Sequence, residues 1–163
     1  MLYETVTDID AEAEVVRRRR FGVIEAVDGE FRRVIFRPWP KWISIPEVLF
    51  LSAWIHRRRG RDRCLLYFDQ SWRQPNYLAV KYLLTYGGTS YASVVAARRA
   101  VDDVARVKGS DALVCQVSNK RLNGRIMKRW GWEPLNDSPR CTLYVRRFYG
   151  EYPGSRAETS ASV

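Results

Sequence analysis

The stretch from Ser90 to Gly109 restricts the fold more than any other part of the chain. Val94, Ala97, Val101, Val104 and Ala105 recur at helical spacing, and Arg98/Asp102, Arg99/Asp103 and Asp102/Arg106 pair four residues apart on the remaining surface. Gly109 closes this helix. The apolar run 63–69 precedes it and a strand over 112–117 follows it. Strand, helix and strand make a right-handed crossover between parallel strands, so Leu66 and Val114 are expected on neighbouring parallel strands.

The remaining elements are read from turn chemistry and periodicity. Residues 21–27 and 31–37, rich in β-branched and aromatic side chains, flank Asp28-Gly29, a pair that tolerates the positive φ angles of a tight hairpin. Pro38-Trp39-Pro40 ends the hairpin, because proline cannot donate to a ladder. Acids at Asp10, Glu12 and Glu14 followed by Arg17 to Arg20 suit the dipole of a helix over about 9–19. Ser44-Ile45-Pro46-Glu47 is a capping box ahead of an apolar run, which predicts a helix to residue 59, stopped by Gly60. Pro75 opens a segment to Tyr86 that reads as helical and stops at Gly87-Gly88. A second helix over 119–129 carries Leu122, Ile126 and Met127, and 141–148 is the closing strand. The expected fold is α/β: a mixed sheet with helices on both faces, one domain over 1–153. The polar tail 154–163 has too little apolar surface to offset its ordering entropy and is expected to be disordered.

Composition limits the partners. A chain of 163 residues with 46% hydrophobic side chains buries one core, and its longest apolar stretch is too short to span a bilayer. Lys and Arg number 28 against 18 Asp and Glu, a net charge of +10, which points to anionic partners such as nucleic acid or phosphate-bearing cofactors. The three cysteines, Cys64, Cys115 and Cys141, are widely spaced without a C-x-x-C pair, and the chain has 1 His, His56, so they read as buried reduced thiols rather than a zinc site. The acidic start lacks the basic and apolar regions of a secretory signal, and a cytoplasmic location is expected.

Two places carry candidate chemistry. Gly87, Gly88, Thr89 and Ser90 precede the strongest helix, where backbone amides and hydroxyls can meet a diphosphate; the same residues also serve as a helix stop and cap. Asp69 ends a buried strand and can take a proton from an amine directly or through one water; it also reads as a turn carboxylate beside Ser71 and Asn76. Basic residues cluster at 17–20 and 57–63 and on the helix bearing Lys120, Arg121, Arg125, Lys128 and Arg129, a candidate surface for nucleic acid or another polyanion, with 6 Trp and 9 Tyr available for base stacking.

The long helix, the strand ending in Val117-Ser118-Asn119, the short helix, Trp130-Gly131-Trp132-Glu133 and the closing strand resemble the C-terminal half of the GNAT superfamily of acyl-CoA-dependent N-acyltransferases. The ending around Trp130-Gly131-Trp132-Glu133-Pro134 and Arg146 to Pro153 is similar to a set of bacterial proteins with a GNAT-like C-terminal half. The resemblance implies a GNAT-like fold and transfer from acetyl-CoA or another acyl-CoA to an amine acceptor. It puts the pyrophosphate at Gly87 to Ser90 and the pantetheine near Asn119; transfer would then depend mainly on positioning, with Asp69 or a water removing the proton. The family's cofactor loop falls at 84–89 with one glycine in register, and Met127 stands where the family often has a tyrosine general acid. The alternative is a non-catalytic basic module on the same scaffold, binding nucleic acid or another polyanion.

Overall fold

A computed structural model describes residues 3–39, 62–117, 124–136, 138 and 142–153. In chain order the elements are β1 (Glu4–Val6), α1 (Ala13–Arg18), β2 (Phe21–Val27), β3 (Glu30–Arg37), β4 (Arg63–Gln70) and β5 (Tyr77–Thr85), then α2 (Tyr91–Lys108), β6 (Ala112–Gln116), α3 (Gly124–Arg129), β7 (Glu133–Pro134) and β8 (Leu143–Arg147). The strands form an 8-stranded sheet in the order β1-β3-β2-β4-β5-β6-β8-β7. β5 and β6 pair in parallel and the other described ladders are antiparallel, so the expected mixed α/β class holds.

The β2–β3 hairpin forms as the sequence predicts. Asp28 (φ 52°) and Gly29 (φ 83°) make its two-residue turn, and the Gly29 amide donates to Ser93 Oγ at 2.8 Å, fastening the turn to α2. α2 is capped at one end by Ser90 and at the other by Gly109 in the left-handed region (φ 64°). Its buried face of Ala97, Ala100, Val101, Val104 and Ala105 is small-sided, which lets the helix lie close against Ile24, Phe36, Leu66, Phe68, Leu78 and Leu113. Val16 of α1 and Met127 of α3 join the same core cluster. The opposite sheet face carries a smaller cluster of Val23, Leu65 and Tyr67 with Leu84 against it. The helix expected up to residue 59 and the tail 154–163 lie outside the described residues. No described helix is long and apolar enough to cross a membrane.

Three expectations need correction. The segment opened by Pro75 is the strand β5: Leu78 and Val80 pack on the main core, and Leu78 to Thr85 pair with β4 apart from Lys81. Leu66 and Val114 are consequently not neighbours, because β5 lies between their strands; Val114 pairs with Ala79, and Leu66 with Leu83 and Ile24. α1 is shorter than 9–19, because the Asp8 carboxylate accepts from the amides of Asp10 (3.0 Å) and Ala11 (2.9 Å) and holds them in a turn ahead of the helix.

Two polar pins tie the helices to the sheet. Lys108 donates to the carbonyls of Arg17 and Arg19 and to Gln70 Oε1 (3.0 Å); with neutral acceptors around it, burial brings its pKa down to about 8. Asp102, buried on α2, accepts twice from Arg146 Nη1 of β8 at 2.9 Å, yet burial outweighs the two nearby arginines and lifts its carboxyl to about 6.

Gly22 is where close packing leaves no room for a side chain. A Cβ there would sit 2.5 Å from Phe68 Cζ and 3.3 Å from Phe36 Cδ1, two fully buried rings packed edge to face with centroids 6.0 Å apart. Gly22→Ala should therefore destabilise the fold by about 1–3 kcal/mol in denaturant unfolding, the range for overpacked cores. An unchanged midpoint would contradict the packing described.

Candidate functional site

β5 and β6 run parallel from the pair Tyr77↔Ala112 to the pair Val80↔Cys115. At that point β5 takes in one residue more than β4 opposite it: Tyr67 faces Tyr82 and Phe68 faces Val80, which leaves Lys81 as a bulge. A bulge bends its strand and sharpens the local twist. β5 continues to Thr85 while β6 ends at Gln116, so past Val80 the β6-facing edge of β5 has no ladder partner among the described residues. Beyond the end of the parallel ladder, the carboxyl part of β5 runs on toward the turn that precedes α2.

The open edge of β5 leads to the turn before α2. Gly87 and Gly88 are exposed there, and a Cβ on either would meet nothing within 4 Å. Thr89 Oγ1 donates to the Arg63 carbonyl (2.5 Å) and accepts from the Tyr86 amide (2.7 Å). The Ser90 amide donates to Asp62 Oδ1 at 2.7 Å, its hydroxyl donates to Asp62 Oδ2, and the same oxygen accepts from the Ser93 amide at 3.2 Å. These bonds to Ser90 hold the Asp62 carboxyl below its ordinary range. Of the residues singled out for a diphosphate, Thr89 and Ser90 are thus engaged inside the fold, and Gly87 and Gly88 keep open backbone. The end of the helix already carries an anion of the protein's own.

Asp69 sits near the end of β4, in register with Phe21 on one side and Ala79 on the other, and Phe21 is in turn in register with Arg37. Burial raises its pKa, and the positive charges of Lys81 and Arg37 oppose the rise. It lines a cavity of about 390 Å³ together with Phe21, Trp72, Arg73, Ala79 and Lys81. Its half-buried position differs from that of a freely solvated turn carboxylate.

The other candidates divide. Asn119, Lys120, Arg121, His56 and Cys141 lie outside the described residues, while Arg125, Lys128 and Arg129 are exposed on α3. The basic cluster at 17–20 is tied into the fold: Arg17 pairs with Glu14, Arg18 and Arg19 with Glu4, and Arg20 donates to the Ser71 carbonyl and stacks on Trp72. The Cys64 and Cys115 thiols are pushed up to about 12 by burial, which keeps them protonated and unreactive. Met127 is a core residue, 3% exposed.

Lys81, Asp62 and Arg37 were not among the residues picked out from the sequence. The bulge at Lys81 shows only in the packing: Val80 and Leu83 both lie against the main core although they are three apart, a break in strand alternation.

No family model matches the chain, and no curated protein does. Among solved structures the chain is similar to the crystal structure of nourseothricin acetyltransferase, with 13% sequence identity and a TM-score of 0.37, covering 90% of this chain and 99% of that one. At that level the likeness leaves function to be argued from this chain's own geometry.

The Asp62 cap carries a pH signature. Its carboxyl titrates lower in the folded chain than the ordinary value of 3.8, so its stabilising effect is complete above that value and is lost as pH falls through the lowered one. Asp62→Asn should lower the thermal midpoint at pH 7 and flatten the acid limb of its pH profile. A variant whose midpoint parallels the parent from neutral to acid pH would show that Asp62 does not cap α2.

Proposed function

We propose that the chain transfers an acyl group from an acyl-CoA to an amine. The observation that carries this reading is the bulge at Lys81, which frees one edge of an extended strand beside a parallel neighbour and leads that edge to a glycine turn and a helix N-terminus. An extended chain bearing amides, as the pantetheine arm of CoA is, adds to such an edge by main-chain hydrogen bonds in the way a peptide strand does. Gly87 and Gly88 then offer open backbone donors to the diphosphate. The resemblance noted for residues 90–148 adds support, with Asn119 as its pantetheine contact.

In this reading the acyl-CoA supplies an activated carbonyl: the C–N bond forms as the C–S bond breaks. Asp69 accepts the proton that the amine loses, directly or through one water, and its burial makes it a better base than an exposed carboxylate. Water protonates the departing thiolate, since buried Met127 has no proton to give. Holding the amine and the thioester together supplies most of the acceleration.

Titration calorimetry with acetyl-CoA is the test. The parent should bind, Gly88→Asp should abolish binding, and its melting temperature should stay close to the parent's because the added side chain meets open space. Asp62→Asn should tighten binding, since it removes a negative charge beside the diphosphate. A parent protein that shows no affinity at about 1 mM acetyl-CoA, or a Gly88→Asp variant that binds like the parent, would overturn the reading.

A further inference from the structure

The cavity over Asp69 has a charge pattern that selects its occupant. Phe21 and Ala79, on the strands either side of Asp69, line it with apolar surface, and Trp72, 73% exposed, lines it beside them with the Arg20 guanidinium 3.8 Å from its ring centre. Among the described residues Asp69 is the one carboxylate in that lining, and the Arg73 and Lys81 side chains stand around it with no ion pair. Arg37 acts on Asp69 from the end of the same row of registered residues, and its Nε and Nη2 are buried without a hydrogen-bond partner among the described residues. Arg37 is half-buried, with its guanidinium 5.5 Å from the Tyr67 ring centre, so its charge reaches Asp69 from outside the cavity lining.

A polycationic amine entering here would meet one carboxylate and several like charges. A simple neutral amine would leave Lys81 and Arg73 without a role. A molecule carrying an amine and a carboxylate a few bonds apart complements both signs, and an apolar body suits Phe21, Ala79 and the face of Trp72. The volume, about 390 Å³, is at the small end of the range for ligand pockets, about 300–1,000 Å³.

We infer that the acceptor is a small zwitterion, an α-amino acid with an apolar or aromatic side chain, whose amine meets Asp69 and whose carboxylate meets Lys81 and Arg73. The identification of the cavity as an acceptor site rests on the acyl-transfer reading; the binding preference is independent of it. Lys81 is then both the bulge in β5 and the residue that orients the acceptor.

Calorimetry on the full chain, with and without CoA, should use L-phenylalanine, L-leucine and L-tryptophan, the methyl ester of L-phenylalanine, and spermidine. At least one of the free amino acids should bind, the ester should bind at least about tenfold more weakly than free L-phenylalanine, and spermidine should not compete. Lys81→Met, at an exposed position, should weaken the amino acid by about tenfold or more and leave the ester unchanged. Equal or tighter binding of the ester or spermidine, an amino-acid affinity indifferent to Lys81→Met, or no binding of any of the three amino acids at about 10 mM would overturn the inference. The two readings fail separately. Amino-acid binding without acetyl-CoA affinity would leave this site standing and remove the acyl transfer, whereas thiol release from acetyl-CoA driven by spermidine but not by the amino acids would do the reverse.

Discussion

The carboxyl half of the molecule depends on β5 having neighbours of opposite sense. It runs antiparallel to β4 from Leu78 to Thr85 and parallel to β6 from Tyr77 to Val80. The parallel ladder is short because α2 must return the chain to the amino end of β5 before β6 can start, and because Lys81 is inserted where the ladder stops. A strand whose two edges end at different points cannot remain flat against both neighbours. The parallel ladder ends at Val80, the residue before the extra one.

Charge is distributed around β5 in a way the net value of +10 conceals. Asp62 neutralises the start of α2 and titrates low because Ser90 hydrogen-bonds its charged form. Asp69, a strand length away, titrates high because burial dominates. Asp102, beneath the sheet's α2 side, shows that burial can outweigh even a doubly bonded arginine. Three aspartates therefore sit in three environments, according to what surrounds them: Asp62 hydrogen-bonded at the start of α2, Asp69 desolvated in the cavity lining, and Asp102 pinned to Arg146. Arg17 to Arg20, conspicuous as a run in the sequence, serve mainly to hold β1, α1 and the loop after β4.

Local chemistry made some of the fold legible. Asp28-Gly29 has the backbone freedom its turn requires, and Gly109 stops α2 for the same reason. The apolar spacing of α2 was strong enough to read without help. β5 was not, because Pro75 opens it like a helix and the bulge at Lys81 breaks the alternation that identifies a strand. That one misreading also displaced the expected partner of β6, since a strand missing from the count moves every neighbour by one. β1 and β7, 3 and 2 residues long, are too short for any period to show. At the site, Asp69 was visible as a carboxylate closing an apolar run. Asp62 and Arg37 gain their roles only from contacts made across the fold, with Ser90 of α2 and with the row that ends at Asp69.

The central claim is that the edge of β5 released at Lys81 receives the acyl-CoA. Backbone amide chemical shifts of isotopically labelled protein, followed during titration with CoA, address it most directly. The account requires the largest shifts at Lys81 to Thr85 and at Gly87 and Gly88, with small changes along β2 and β3. Saturable shifts confined instead to Gly29, Phe31, Ala92 and Ala96, which line a separate cavity between the hairpin and α2, would contradict it.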